Sequence, residues 1–156
     1  MLQLLRQSVQ SVIDEGRIGS PVFLRCIVQT SIEAAHLANG IAALTALANT
    51  WMPSSPEQIY ALESADATQT TAMVKYAGGQ TAVLSINRIP EGQEAVVDLR
   101  LVGNKGVIYH ETPVGQHRLM NTPLTLNGGE SLIGPIHQAI KTGKPIKMME
   151  DENGEG

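Results

Sequence analysis

The chain has 156 residues, 42% of them hydrophobic, and a net charge of −4. That is enough apolar content to bury one ordinary core, and too much for a disordered chain. Four negatives within residues 148–156 account for the charge, and no basic stripe or arginine cluster appears elsewhere, which excludes a nucleic-acid binder. No apolar run reaches the about 18 residues of a membrane-spanning helix. Aromatics make up 3%, so the core must rest on Ala, Val, Ile and Leu. The single cysteine, Cys26, cannot close an internal disulfide, and the first residues carry no basic stretch followed by an apolar one. A reducing, cytoplasmic setting is therefore expected.

Leu2, Leu5, Val9, Val12 and Ile13 fall on one stripe of a helix over residues 2–15, with Gly16 as its C-cap. A turn through Pro21 leads into an apolar strand, residues 22–29. Thr30-Ser31-Ile32-Glu33 matches a capping box and predicts an alanine-rich helix over residues 31–49, ended by Trp51 and Pro53. Residues 57–63 read as a strand. Residues 68–77 and 80–87 read as a hairpin joined by a two-residue Gly78-Gly79 turn. Residues 93–102 alternate strictly, with Ala95, Val97, Leu99 and Leu101 on one face. Gly103-Asn104-Lys105-Gly106 then turns into a strand over 107–110, completing what reads as an antiparallel meander. Residues 111–127 are loop-like, with a short strand at 116–121. A helix over 130–142 contains Pro135, which predicts a kink or a later start, and Gly143 and Pro145 mark its stop.

This order predicts an α+β fold: an open, mainly antiparallel sheet with helices on one face. Residues 1–147 form one domain, followed by an acidic tail, 148–156, expected to be disordered. The other sheet face would carry Thr81, Val83 and Ser85, or Met73 and Lys75, together with Val96 and Val102. Such a face is too apolar to stay wide, flat and wet, so a homo-oligomer joined through it is expected.

Four stretches, in order, resemble one family. They are residues 9–24 (VQSVIDEGRIGSPVFL), 71–86 (TAMVKYAGGQTAVLSI), 99–109 (LRLVGNKGVIY) and 138–145 (QAIKTGKP). They are similar to a helix, turn and first strand, a Gly-Gly hairpin, a strand pair and a late helix end of the glucose–fructose oxidoreductase and inositol dehydrogenase family (Gfo/Idh/MocA). The resemblance covers about residues 5–152. It implies the C-terminal α/β domain of a nicotinamide-dependent oxidoreductase. The N-terminal Rossmann domain of that family has no counterpart among these residues. No G-x-G-x-x-G opens a helix here, because Gly103–Gly106 joins two strands and presents no helix N-terminus to a pyrophosphate. NAD or NADP would thus be held only if a Rossmann partner on another chain supplied the cradle. Lys144-Pro145 matches the family's catalytic Lys-Pro by letters alone.

The resemblance also implies a helix-borne histidine acting as general acid or base, in a pattern like D-x-G-x-H-x-x-D. His36 falls at that place, with Ile32 and Asn39 where the carboxylates would stand. His36 is the candidate catalytic residue, and His36 with Asn39 the candidate ligand-binding pair. Cys26 reads as a small buried hydrophobe. His110, His117 and His137 share no ligand spacing, so no metal site is expected. The favoured reading is a domain that is non-catalytic by itself and serves oligomerisation or small-ligand binding. The alternative is the substrate half of a split oxidoreductase.

Overall fold

A computed structural model describes residues 2–112 and 124–148. The strand expected at 116–121, His117 and the tail from residue 149 lie outside the described residues. The elements are α1 (Leu2–Asp14), β1 (Pro21–Thr30), a 3-10 turn (Ala34–His36), α2 (Leu37–Trp51), β2 (Pro56–Glu63), β3 (Gln69–Tyr76), β4 (Thr81–Arg88), β5 (Val96–Gly103), β6 (Val107–Glu111), α3 (Glu130–Thr142) and β7 (Ile146–Lys147). Among the described residues the strands form one open sheet in the order β6-β5-β1-β4-β3-β2-β7. Every pairing is antiparallel except β1 with β4. The expected α+β class and open, mainly antiparallel sheet are observed. No helix among the described residues is long and apolar enough to cross a membrane.

The strands from 68 to 110 are not one continuous meander. β3 and β4 form a hairpin, but β1 lies between β4 and β5. Chain order suggested adjacency, whereas β1 inserts between them and pairs along its length with both β4 and β5. The β3–β4 turn is also longer than two residues. Tyr76 N donates to Gln80 O, Gly79 N donates to Tyr76 O, and only Gly79, at φ 87°, adopts a left-handed conformation. That matches a type I turn followed by a left-handed residue, rather than a primed turn.

The helix expected at residue 31 begins at Leu37. Pairing of β1 with β4 continues to Thr30 opposite Arg88, so Thr30 is buried strand and caps nothing. The Arg88 side chain then holds the following segment extended, donating from Nε to Ile32 O (2.8 Å) and from Nη1 to Ala67 O (3.1 Å). Here tertiary pairing overrides a local capping pattern. α3 runs from Glu130 to Thr142 through Pro135.

All three helices contribute to the core on one face of the sheet. Leu24, Cys26, Val28, Ala72, Val74, Ala82, Leu84, Ile86, Val97, Leu99 and Leu101 point toward them and are buried. α2 packs on β3 and β4 beneath and on α3 beside it. Burial therefore reaches nearly round it, from Leu37 and Ala38 through Ile41–Thr45 to Ala48 and Trp51. Small residues make that close approach feasible. Tyr76 ties the layers together, its hydroxyl donating to Asn49 Oδ1 at 2.8 Å.

Two of the family-like turns prove to be one structure. Asn104 N donates to Ser20 O (3.0 Å), Lys105 N donates to Ile18 O (2.9 Å), and Ser20 N donates to Asn104 Oδ1 (3.0 Å). The β5–β6 turn thus clamps the entrance to β1. A Cβ at Gly103 would overlap the Ile18 carbonyl oxygen.

Gly103→Ala is expected to lower unfolding free energy by about 1–3 kcal/mol in urea titrations, as overpacking against backbone does. Gly143→Ala, which puts a Cβ on the left-handed C-cap of α3 at φ 63°, is expected to lower it by about 1–2 kcal/mol.

Candidate functional site

His36 ends the 3-10 turn and occupies the N-cap position of α2. Its backbone N–H donates to Glu33 O at 2.9 Å, and its Nδ1 lies 3.9 Å from Glu33 Oε2. The side chain is 59% exposed. Asn39, one helical turn on, is exposed as well. The two candidates therefore lie near one another at the start of α2, but on open surface. Among the described residues the carboxylate paired with His36 is Glu33, three residues before it and not at the position four before. Such an imidazole can bind a polar ligand or exchange a proton with solvent. It has no enclosing wall among the described residues to exclude water.

Cys26 lies at the centre of β1, 1% exposed, on the face under the helices. Burial, and secondarily the Asp98 carboxylate, pushes its thiol up to about 12. It cannot serve as a nucleophile for the exposed His36. Lys144 and Pro145 follow the C-cap Gly143 and lead into β7, far along the chain from any other titratable group assigned a role. His110 is half-buried on β6 and His137 exposed on α3. Among the described residues no group of three or more His, Cys, Asp or Glu side chains is placed to hold a metal.

The face of the sheet away from the helices carries the larger concentration of unusual surface. The register aligns Tyr60, Met73, Val83, Arg25, Arg100 and Tyr109 in one row across six strands. A neighbouring row holds Leu62, Thr71, Ser85, Ile27, Asp98 and Glu111, and a third Gln58, Lys75, Thr81, Phe23, Val102 and Val107. Leu62, Met73, Val107 and Tyr109 are between 43% and 57% exposed. Polar side chains on this face bond to each other. The Thr71 and Ser85 hydroxyls are 2.9 Å apart, and Gln69 Nε2 donates to Ser85 Oγ at 3.1 Å. Arg25 Nη2 donates to Asp98 Oδ2 at 3.2 Å. At the β2 edge, Gln58, Tyr60, Met73, Lys75 and Pro145 line a shallow depression of about 260 Å³.

Alternation in residues 71–86 and 96–102 identified most of this face from sequence. The Arg25–Asp98 pair escaped notice because it needs β1 beside β5, a long-range pairing that no local pattern announces.

No protein-family model matches the sequence, and no curated protein matches it. The fold, however, is shared with solved dehydrogenases. A probable dehydrogenase from Thermotoga maritima superposes with a TM-score of 0.70 at 12% identity, over 91% of this chain and 61% of that one. Myo-inositol 2-dehydrogenase from Lactobacillus plantarum gives 0.63 at 15%, over 92% and 61%. The WlbA dehydrogenase from Bordetella pertussis, solved with NADH and UDP-GlcNAcA, gives 0.64 at 13%, over 93% and 60%. The chain spans about three-fifths of the length of these proteins, and the matched region is their C-terminal part. Its architecture is thus that of the C-terminal domain of inositol-dehydrogenase-type oxidoreductases.

Native protein is expected to leave Cys26 unmodified by a disulfide reagent at pH 8, with one thiol released on unfolding. The folded state holds this proton more tightly than the unfolded chain. Its stabilising contribution is therefore full below pH 9 and lost as pH rises from 9 toward about 12. Cys26→Ala should flatten that part of the decline in chemical-denaturation titrations.

Proposed function

We propose that this domain is an assembly module of the oxidoreductase type, non-catalytic by itself, which joins two copies through the open sheet face. The carrying observation is the face itself. Five strands present Phe23, Ile27, Met73, Val83, Val102 and Tyr109, and no helix among the described residues lies over them. With strands about 4.8 Å apart and rows about 6.8 Å apart, three rows of side chains on six strands make a patch of roughly 600 Å² at most. That approaches the about 800 Å² per partner of a standard interface. A second copy is the favoured occupant because the patch carries both acids and bases, and so can complement itself across a two-fold axis.

A second reading rests on His36. Its exposure at the N-cap of α2, beside Glu33, suits a group completed by another polypeptide. In that case a separate dinucleotide-binding chain supplies NAD or NADP, and His36 and Asn39 meet the substrate. What the solved dehydrogenases bind is relevant to this chain only through that second reading.

Sedimentation at micromolar concentration is expected to give a dimer, and Val83→Lys, which puts a charge in the middle of the face, a folded monomer whose melting temperature no longer rises with protein concentration. A wild-type monomer, or a dimer burying less than about 1,000 Å², contradicts the assembly role. In a thermal-shift screen against NAD, NADP, sugars and polyols, no dinucleotide is expected to stabilise the chain alone. Stabilisation by a dinucleotide would overturn the non-catalytic reading, since binding to the native state must raise its melting temperature.

A further inference from the structure

Asn39, Asn127 and Asn153 each precede a glycine. Asn153 lies outside the described residues; the other two pairs differ sharply in their surroundings. In such a pair the glycine amide nitrogen can attack the asparagine side-chain carbonyl, because glycine has no Cβ to shield that nitrogen. The attack needs a nitrogen free of hydrogen bonding and a backbone able to turn it onto Cγ. Asn39 and Asn127 are both exposed, so exposure does not separate them. The backbone does.

Asn39-Gly40 lies in the first turn of α2. The helix fixes the dihedrals there, and the Gly40 N–H stands at the first position with an intrahelical acceptor. Gly40 is buried, and a Cβ on it would overlap Ile86 Cδ1. Turning that peptide requires α2 to open at its packed start. Asn127-Gly128 lies between residue 124 and α3, in neither helix nor strand. Gly128 adopts φ 102°, and nothing lies within 4 Å of its Cβ position. Among the described residues neither the Asn127 side chain nor the Gly128 N–H has a hydrogen-bond partner.

We propose that Asn127 is a site of spontaneous deamidation in the folded protein and that Asn39 is protected. The Gly128 nitrogen bonds to Asn127 Cγ, the Cγ–Nδ2 bond breaks, and ammonia leaves with the proton that nitrogen carried. The product is a succinimide. Solvent water then opens it at one of two bonds. Cleavage between Cγ and the nitrogen gives aspartate on an unchanged main chain. Cleavage between the main-chain carbonyl carbon and the nitrogen gives isoaspartate, with the main chain rerouted through Cγ. No atom is oxidised or reduced.

The two products act differently on α3. Aspartate sets a carboxylate just before the helix N-terminus, where negative charge is favoured. Isoaspartate lengthens the main chain by a methylene where there is no slack. The Gly129 backbone lies so close to the Ala42 carbonyl oxygen that a Cβ would overlap it, and Leu126 Cδ1 is 3.3 Å from the Cβ position of Gly40. Isoaspartate at 127 therefore loosens the packing of residues 126–129 on α2, beside Asn39.

The test is to incubate the full chain at physiological temperature and mildly alkaline pH, native and unfolded in guanidinium, and to follow each Asn-Gly peptide by mass spectrometry. In native protein the Asn127 amide is expected to be lost at least about tenfold faster than that of Asn39, since only Asn39 needs local unfolding to react. In guanidinium that protection is gone, and the two rates are expected to agree within about twofold. Asn127→Gln, whose longer side chain must close a larger ring, should stay intact over the same time. Equal native rates, faster loss at Asn39, or no loss at Asn127 overturns the proposal. The isoaspartate form, separated by chromatography, is expected to melt about 2–4 °C below fresh protein, and Asn127→Asp within about 1 °C of it. An isoaspartate form that melts with fresh protein overturns the loosening on α2 and leaves the modification standing.

Discussion

The position of β1 is the constraint on which the rest of this structure depends. It pairs parallel with β4 and antiparallel with β5, joining two antiparallel units into one sheet. Its inward residues, Leu24, Cys26 and Val28, are each at most 1% exposed. Its outward residues, Phe23, Arg25 and Ile27, occupy the middle of the uncovered face. A strand buried on one side and central on the other commits the whole sheet. The helices must cover the first face, and the second remains broad. The interlocked turns at 16–20 and 103–106 hold β1 at its entrance, and Arg88 holds the segment that leaves it.

Much of this was legible in the sequence, and the reasons differ by element. The alternation of residues 96–102 and the helical stripe of residues 2–13 report burial directly, because side-chain direction has a fixed period in each structure. Gly143 marked the end of α3 because its left-handed conformation, φ 63°, is one that few other residues adopt. The start of α2 was misread. Thr30–Glu33 has the letters of a capping box, but eight residues of pairing with β4 keep Thr30 in a strand. Strand order was misread for the same kind of reason: hairpins are local, whereas the insertion of β1 between β4 and β5 joins residues more than fifty apart.

The candidate site was legible only as a position. His36 and Asn39 do stand together at the start of α2, yet the surroundings that would convert an imidazole into a catalyst are not written in adjacent residues. Enclosure and a tuned partner come from elements distant in sequence, or from another chain. The sheet face is different. Its composition could be read strand by strand, although the sorting of its charges into acidic and basic rows emerged only from the register.

The central claim is that one sheet face is closed by helices of the same chain and the other by a second copy. Methyl NMR with a soluble paramagnetic agent tests it most directly, because Ile27 and Val83 face away from the helices while Ile86 and Leu84 lie beneath them. The account predicts that Ile86 and Leu84 are shielded at every concentration, while Ile27 and Val83 are shielded in concentrated protein and broadened on dilution. Equal broadening of Ile27 and Val83 at all concentrations would contradict it.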